Sequence, residues 1–302
     1  MINTPISVVM ATYNGVHFLQ EQIESILQQS MPPFEIIICD DGSIDGTIEI
    51  LKDYAAKGLI QYYANDKRLG VVANFKKGVK QACDGNYIAL CDQDDIWMPH
   101  KLETLQNAIN KLEQNTIGIN TPCIAYSDIV LIDEQKNVLN HSFWNELNHD
   151  VHEHCLKTLL FGNFVTGCSI MFNQSTKIHF KNIPELILHD VWLAFVGNTI
   201  GKIKAIDEPL LLYRQHEHNV NYNKGKRKDL KWQARFKRLK KLFTKNTYLT
   251  EEYFIAKSFL HSYQEQLTNK DKNTIKLFLI TKHLPYLFKE IALKIFFWGK
   301  WK

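Results

Sequence analysis

Short apolar runs and polar breaks alternate regularly through the first hundred residues. Ile6–Met10 is a β-branched apolar run closed by Thr12, Tyr13 and Asn14, which predicts a strand. The following GVHFLQEQIESILQQS puts Phe18, Ile23, Ile26 and Leu27 on one helical face. Glu35–Cys39 predicts a second strand, stopped by Asp40-Asp41-Gly42-Ser43, after which TIEILKDYAA returns to helical period. LIQYYAND predicts a third strand, GVVANFKKGVKQAC a third helix and NYIALCD a fourth strand. Strands and helices alternating at these lengths predict an α/β fold, a parallel sheet with helices on both faces. Ligands of such sheets bind outside the carboxyl ends of the strands. Thr12-Tyr13-Asn14, Asp40-Asp41, Asn65-Asp66 and Asp92-Gln93-Asp94 all fall at such ends, so one crevice is predicted to collect them.

Beyond this the pattern is more mixed. CIAYSDIVLID, GCSIMFN and GKIKAIDEPLLLYRQH predict strands, and DVWLAFVGNTIG a helix. After Asn221 the lysine-rich NKGKRKDLKWQARFKRLKKLF marks a boundary, and the remainder predicts helices only. Charge divides at the same place. Residues 1–221 hold 16 Lys and Arg against 26 Asp and Glu, a balance of −10, while residues 222–302 hold 20 against 6, a balance of +14. Two parts meeting different partners are expected, a domain over 1–221 and a basic helical region over 222–302. No apolar run reaches membrane-spanning length, and the first residues lack a secretory pattern. The six cysteines form no C-x-x-C pair and read as reduced thiols. The 12 histidines lack zinc-ligand spacing, which leaves zinc catalysis unsupported.

The densest chemistry is in ALCDQDDIW, where Asp92, Asp94 and Asp95 follow directly on an apolar run. Clustered carboxylates repel, so a positive group belongs beside them, either a lysine or arginine or a hard divalent cation. VVMATYNG, ICDDGSIDGT, RLGVVANFKKG and LCDQDDIW, in this order, resemble the nucleotide-sugar-binding half of a family 2 glycosyltransferase with the Rossmann-like GT-A fold. SFW, GNFVTGCSIMFN, HDVWLAF and YRQHEHN resemble its bacterial rhamnosyltransferase branch, and the likeness covers roughly residues 5–220. It implies a mostly parallel central sheet, with residues 1–100 binding the nucleotide-sugar and 101–221 the acceptor.

The resemblance also implies roles. Asp92-Gln93-Asp94 is similar to the family's D-x-D, with Asp92 on the ribose side and Asp94 reaching a Mg2+ or Mn2+ ion on the diphosphate; a turn with exposed acids is the plainer alternative. Asp41 resembles the aspartate that accepts the pyrimidine imide N–H, although Asp-Gly is also a common turn pair. Thr12, Tyr13 and Asn14 would line the base pocket, Arg68 would reach base or phosphates unless it is a solvated loop arginine, and Gln93 lies within the donor-binding set. Asp190 matches the general base of inverting members, set where a helix starts, a position that also suits a plain N-cap. Arg214 and His216 would donate to the diphosphate, although His216, with His218 two places on, equally suits a surface histidine. Trp97, Trp144 and Trp192 would wall the sugar pocket or fill core, the core reading being favoured for Trp192.

The Q-x-x-R-W motif and membrane-spanning helices of processive members are missing from the sequence, which implies a single addition. The implied activity is an inverting, metal-dependent transfer of one sugar, L-rhamnose from dTDP-L-rhamnose, to a glycan or lipid-linked glycan. A UDP-hexose or UDP-N-acetylhexosamine donor is the nearest alternative, and a catalytically silent nucleotide-sugar binder or scaffold the alternative of another class. In the basic region Trp232, Phe236, Leu239 and Phe243 share one helical stripe, and Leu284, Phe288, Ile291, Ile295 and Trp298 a second. Basic helices with aromatic anchors suit an anionic membrane surface at the cytoplasmic face, and the same stripes suit packing on the catalytic domain. Nucleic acid is not expected as a partner, since the first part is acidic and lacks a reader motif.

Overall fold

A computed structural model describes residues 5–83, 87–115, 120–147, 150–151, 154–216, 249–284, 289 and 292–293. The chain clusters into two compact units, residues 1–154 with 163–214, and residues 155–162 with 215–302.

The first unit opens with β1 (Ile6–Thr12), α1 (Leu19–Leu27), β2 (Glu35–Asp40), α2 (Thr47–Ala56), β3 (Gln61–Ala64), α3 (Val71–Gln81) and β4 (Tyr87–Cys91). These are the elements the periodicity predicts. β5 (Ile96–Trp97), α4 (Lys101–Gln114), β6 (Cys123–Ile132), β7 (Val138–Asn140) and α5 (Phe143–Leu147) follow. Past α6 (Leu156–Leu159), which belongs to the second unit, come β8 (Ile170–Phe172), α7 (Gln174–Lys181), α8 (His189–Thr199) and β9 (Lys202–Arg214). Among the described residues the strands form one sheet in the order β3-β2-β1-β4-β8-β6-β9-β5, with β7 paired to β6.

β1, β4 and β6 are buried at every position. Helices on both faces explain why they are mostly apolar rather than alternating, with Ser7, Thr12, Ser127 and Asp128 as buried polar exceptions. The edge strand β3 is more polar and partly exposed, as suits a sheet margin. β1 runs parallel to β2 and β4, and β2 to β3. The far half is mixed: β8 is antiparallel to both β4 and β6, and β5 to β9, whereas β9 is parallel to β6. The parallel sheet predicted from the alternation therefore describes the first four strands. An apolar run reads alike in either direction, and β5 is too short to carry a period.

The order of connection reverses at β1, where β2 lies on one side and β4 on the other. Ligands of such sheets bind outside a switch point of this kind, and Thr12 and Asp92 lie at the ends of β1 and β4 there.

In the second unit, α6 is joined by α9 (Thr250–Tyr263) and α10 (Asn269–Thr281). Phe278 packs against Phe161 and Tyr253, with ring centroids at 5.6 and 4.7 Å, and the Tyr253 hydroxyl pairs with Thr281 Oγ1 at 2.7 Å. Lys289 is buried with its Nζ 4.6 Å over the Tyr253 ring, and Leu293 is buried too. The Trp232–Phe243 stripe lies outside the described residues, as do Phe288, Ile291, Ile295 and Trp298. Among the described residues no helix is long and apolar enough to cross a membrane. All six cysteines are unpaired; Cys83 and Cys155 are exposed and the other four buried.

Candidate active site

The loop after β1 is tied to two neighbours. Gln93 Oε1 accepts from Thr12 Oγ1 at 2.6 Å and from Tyr13 N at 2.8 Å, while its Nε2 donates to Tyr13 O at 3.1 Å. Gly15 leaves room for that amide, since a Cβ there would sit 2.4 Å from Gln93 Oε1. Asn14, in the left-handed region at φ 50, donates its N–H to Ser43 Oγ at 2.8 Å and accepts from Ile44 N at 3.0 Å. Asp41 is buried; its carboxylate accepts from Leu69 N at 2.6 Å, Gly70 N at 2.9 Å and Asn65 Nδ2 at 3.0 Å. A carboxylate before the first turn of α3 suits the positive helix end. Thr12, Asn14, Asp41 and Gln93 thus hold the loops together, and Tyr13 with Arg68 makes the more open face. The exposed Arg68 guanidinium stacks 4.1 Å over the Tyr13 ring.

β4 delivers the acidic cluster. Asp92 is half-buried, Asp94 buried and Asp95 fully buried. One carboxylate oxygen each of Asp92 and Asp95, and the Cys168 sulfur, lie within 4.8 Å of one another. Burial first, and then the charges of Asp94 and Asp190, push the Asp92 carboxyl up to about 7, with Lys101 pulling the other way. Asp95 stands well above the ordinary carboxylate range, from burial and then from Asp94 and Asp92. Lys101 is fully buried, donates to Cys168 O at 2.6 Å and lies 3.6 Å over the Trp97 ring. Burial pushes it down to about 8 despite the attraction of the acids around it.

Lys101 answers part of what the acidic run demands, and sequence reasoning missed it. The signal was present: a lysine opening α4 places a cation at the positive end of a helix, which needs compensation nearby. The fit of a divalent cation rests on the oxygen-ligand chemistry of the half-buried Asp92 and of Asp94, and on the repulsion that lifts Asp92. Asp95 and the Cys168 thiol are wholly enclosed beneath them.

Asp190 lies within the first turn of α8, whose N-cap is Leu188, so it is not the capping residue. Its Oδ1 accepts from Val191 N at 2.8 Å and its Oδ2 from Asn163 Nδ2 at 3.0 Å. Asn163 is itself held by Val165, donating to the carbonyl at 2.6 Å and accepting from the N–H at 3.1 Å. Burial pushes the Asp190 carboxyl up to about 6, against these hydrogen bonds. The neighbouring His189 is buried between Phe75 and Phe180, and its burial lowers it to about 4, so it is neutral at pH 7.

The charges of Asp94 and Asp190 both reach Asp92. The structure turns Arg214 inward: the side chain is 1% exposed and its nitrogens bond to Asp94 O, Glu134 O and Glu21. His216 is buried and falls in the second unit. Trp97, Trp144 and Trp192 are all core residues.

Residues 7–175 match the family profile described as Glycosyl transferase family 2. An uncharacterized protein of Mycobacterium tuberculosis is 28% identical over 71% of this chain, a match spanning 60% of that protein's own length. The dTDP-rhamnosyl transferase RfbG of Shigella flexneri is 29% identical, over 76% of this chain and 78% of its own. Among solved structures, residues 1–349 of S. aureus TarS in complex with UDP-GlcNAc superpose with a TM-score of 0.61 at 17% identity, covering 92% of this chain and 72% of that one. The mannosyltransferase PcManGT of Pyrobaculum calidifontis, in complex with GDP-Man and Mn2+, gives 0.52 at 15% identity, covering 97% and 74%. At these identities the structural likeness speaks to fold, an α/β architecture of the GT-A type.

Proposed function

Because the chain belongs to glycosyl transferase family 2, we propose that it is an inverting glycosyltransferase that moves one sugar, L-rhamnose from dTDP-L-rhamnose, to a hydroxyl of a lipid-linked glycan. The observation that supports this reading is that Asp92, at the end of β4 beside the switch point, feels the charges of both Asp94 and Asp190. The rhamnosyl donor draws its support from the Shigella relative.

Asp190 is the general base. A carboxylate lifted to about 6 is ionised at pH 7 and more basic than an ordinary aspartate. It takes the proton of the acceptor hydroxyl as that oxygen attacks the anomeric carbon from the face opposite the departing diphosphate, which inverts the configuration. Asn163 and Val191 N–H aim the carboxylate. Asp92 and Asp94 would hold a Mg2+ or Mn2+ ion, which would neutralise charge growing on the leaving diphosphate. Tyr13 and Arg68 face the base. Three of the roughly four lone-pair sites of Asp41 are used within the chain, so one is left for an imide N–H.

Uracil and thymine share that imide, so Asp41 supports a UDP-sugar as the second reading. Thermal-shift titration with dTDP, UDP and GDP, each with and without manganese, tests both. Manganese-dependent stabilisation by dTDP is expected; a preference for UDP transfers the reading to a UDP-hexose or UDP-N-acetylhexosamine. Nucleotide binding without transfer to any acceptor would leave a silent binder.

Catalysis is assigned to residues 1–221, and attachment to the cytoplasmic face of an anionic membrane to the basic region 222–302. Lys289 and Leu293 are buried, which weighs against lipid contact at those positions and favours Trp232–Phe243 as the anchor.

A further inference from the structure

Arg214 does not have the surroundings of a phosphate ligand. Its Nε donates to Asp94 O at 3.0 Å, its Nη1 to Glu134 O at 2.9 Å and its Nη2 to Glu21 Oε2 at 2.5 Å. Its main-chain N–H donates to Asp95 Oδ1 at 3.2 Å. The flat face of the guanidinium lies 4.6 Å from the centre of the Phe18 ring, and Lys136 pairs with the other carboxylate oxygen of Glu21. One side chain thus fastens four segments: the start of α1, the acidic loop after β4, the β6–β7 turn and the end of β9. Antiparallel pairing of Ile96 with Leu212 and of Trp97 with Leu211 brings the end of β9 to this loop.

We propose that Arg214 is a positioning residue for the cation-binding loop: locked by Glu21, it holds the Asp94 main chain where the Asp92 and Asp94 carboxylates can share one ion. The proposal rests on the reading of that loop given above. A planar fork can serve three acceptors in different directions at once, whereas an ammonium on a flexible stem cannot hold them in one plane. Groups that orient metal ligands from behind commonly alter metal affinity when changed. Glu21 is the informative partner, because it sits on α1 and sets Arg214 without belonging to the acidic loop.

The test compares wild type, Arg214→Lys, Glu21→Gln and the double variant. Calorimetry gives dTDP affinity without metal and the manganese concentration that half-saturates dTDP binding; thermal melting checks folding. Each single variant is expected to raise the manganese half-saturation by about 10-fold, leaving metal-free dTDP affinity unchanged. The double variant should fall within about twofold of the weaker single one, because both remove one interaction. If Arg214→Lys weakens metal-free dTDP binding and Glu21→Gln changes nothing, Arg214 is a direct diphosphate ligand and the proposal fails. Should Arg214→Lys not fold, Glu21→Gln decides alone, and an unchanged manganese half-saturation overturns the proposal. If wild type binds no nucleotide under any condition, the reading of the site itself falls, and this one with it.

Discussion

The Gln93 amide grips the Tyr13 peptide from both sides, accepting from its N–H at 2.8 Å and donating to its carbonyl at 3.1 Å. A side chain here completes the pairing that a neighbouring strand would otherwise supply. Gly15→Ala drives a Cβ to 2.4 Å from Gln93 Oε1 and should cost about 1–3 kcal/mol, the scale of overpacking. In a Gln93→Ala background the same change should cost far less. Urea unfolding of the four proteins of this cycle measures the difference; equal costs would mean that the clamp is not what confines residue 15.

Asp190→Asn retains size and most of the local hydrogen bonding but cannot take a proton. Turnover should fall by about 10²–10⁴ while donor binding stays near wild type. Wild-type turnover should decline as pH falls through about 6, and the variant should lose that limb. The stability linkage has the opposite sense. The carboxyl is raised in the fold from its ordinary value of 3.8 to about 6, so its contribution to stability is largest in acid, declines as pH rises between those values and is flat above. Steady-state profiles and urea melts from pH 4 to 8 report both, and a wild-type rate in the variant would reduce Asp190 to a helix residue.

Lys101→Met keeps the stem volume and removes a fully buried cation that faces Asp92 and Asp95. It also leaves the Cys168 carbonyl without the 2.6 Å donor. Breaking a buried ionic arrangement from one side costs about 3–5 kcal/mol, so loss on that scale is expected at pH 7.5. The loss should shrink toward pH 5, below the value of about 7 to which Asp92 is raised, where that carboxyl holds its proton. Chemical denaturation at the two pH values checks this; a pH-independent loss would point to packing alone.

Asp94→Ala should abolish manganese-dependent stabilisation by dTDP while the unliganded melting temperature stays near wild type. The comparison needs only thermal-shift curves with and without manganese. Full metal-linked binding in this variant would remove Asp94 from the cation site.

If the basic region meets lipid, flotation with vesicles should need anionic lipid and weaken as salt rises, since each charge reaches only about 10 Å at 0.1 M salt. Replacing Trp232 and Phe236 with serine should release the protein while dTDP binding persists. Truncation before Leu284 should instead lower the melting temperature of the second unit, because Lys289 and Leu293 are buried there.

What could be read along the chain is local. The runs Ile6–Met10, Glu35–Cys39 and Tyr87–Cys91 declare strands because short, largely β-branched or apolar stretches between polar breaks have few other uses, and the breaks after them mark carboxyl ends that hold Thr12, Asp41 and Asp92. Candidate carboxylates were visible for the same reason: three acids after a core strand are conspicuous wherever they fold. Only the tertiary structure decided which of them are enclosed and what faces them. Asp95 meets the main chain of Arg214, Lys101 reaches the Cys168 carbonyl and Arg214 finds Glu21. No helical or strand period encodes these pairs, because their members lie on separate elements that sheet order alone makes neighbours. The inward turn of Arg214 is of this kind. Its sequence context offers only an arginine at the end of a strand, and its direction follows from acceptors that the strand pairing of β5 and β9 delivers.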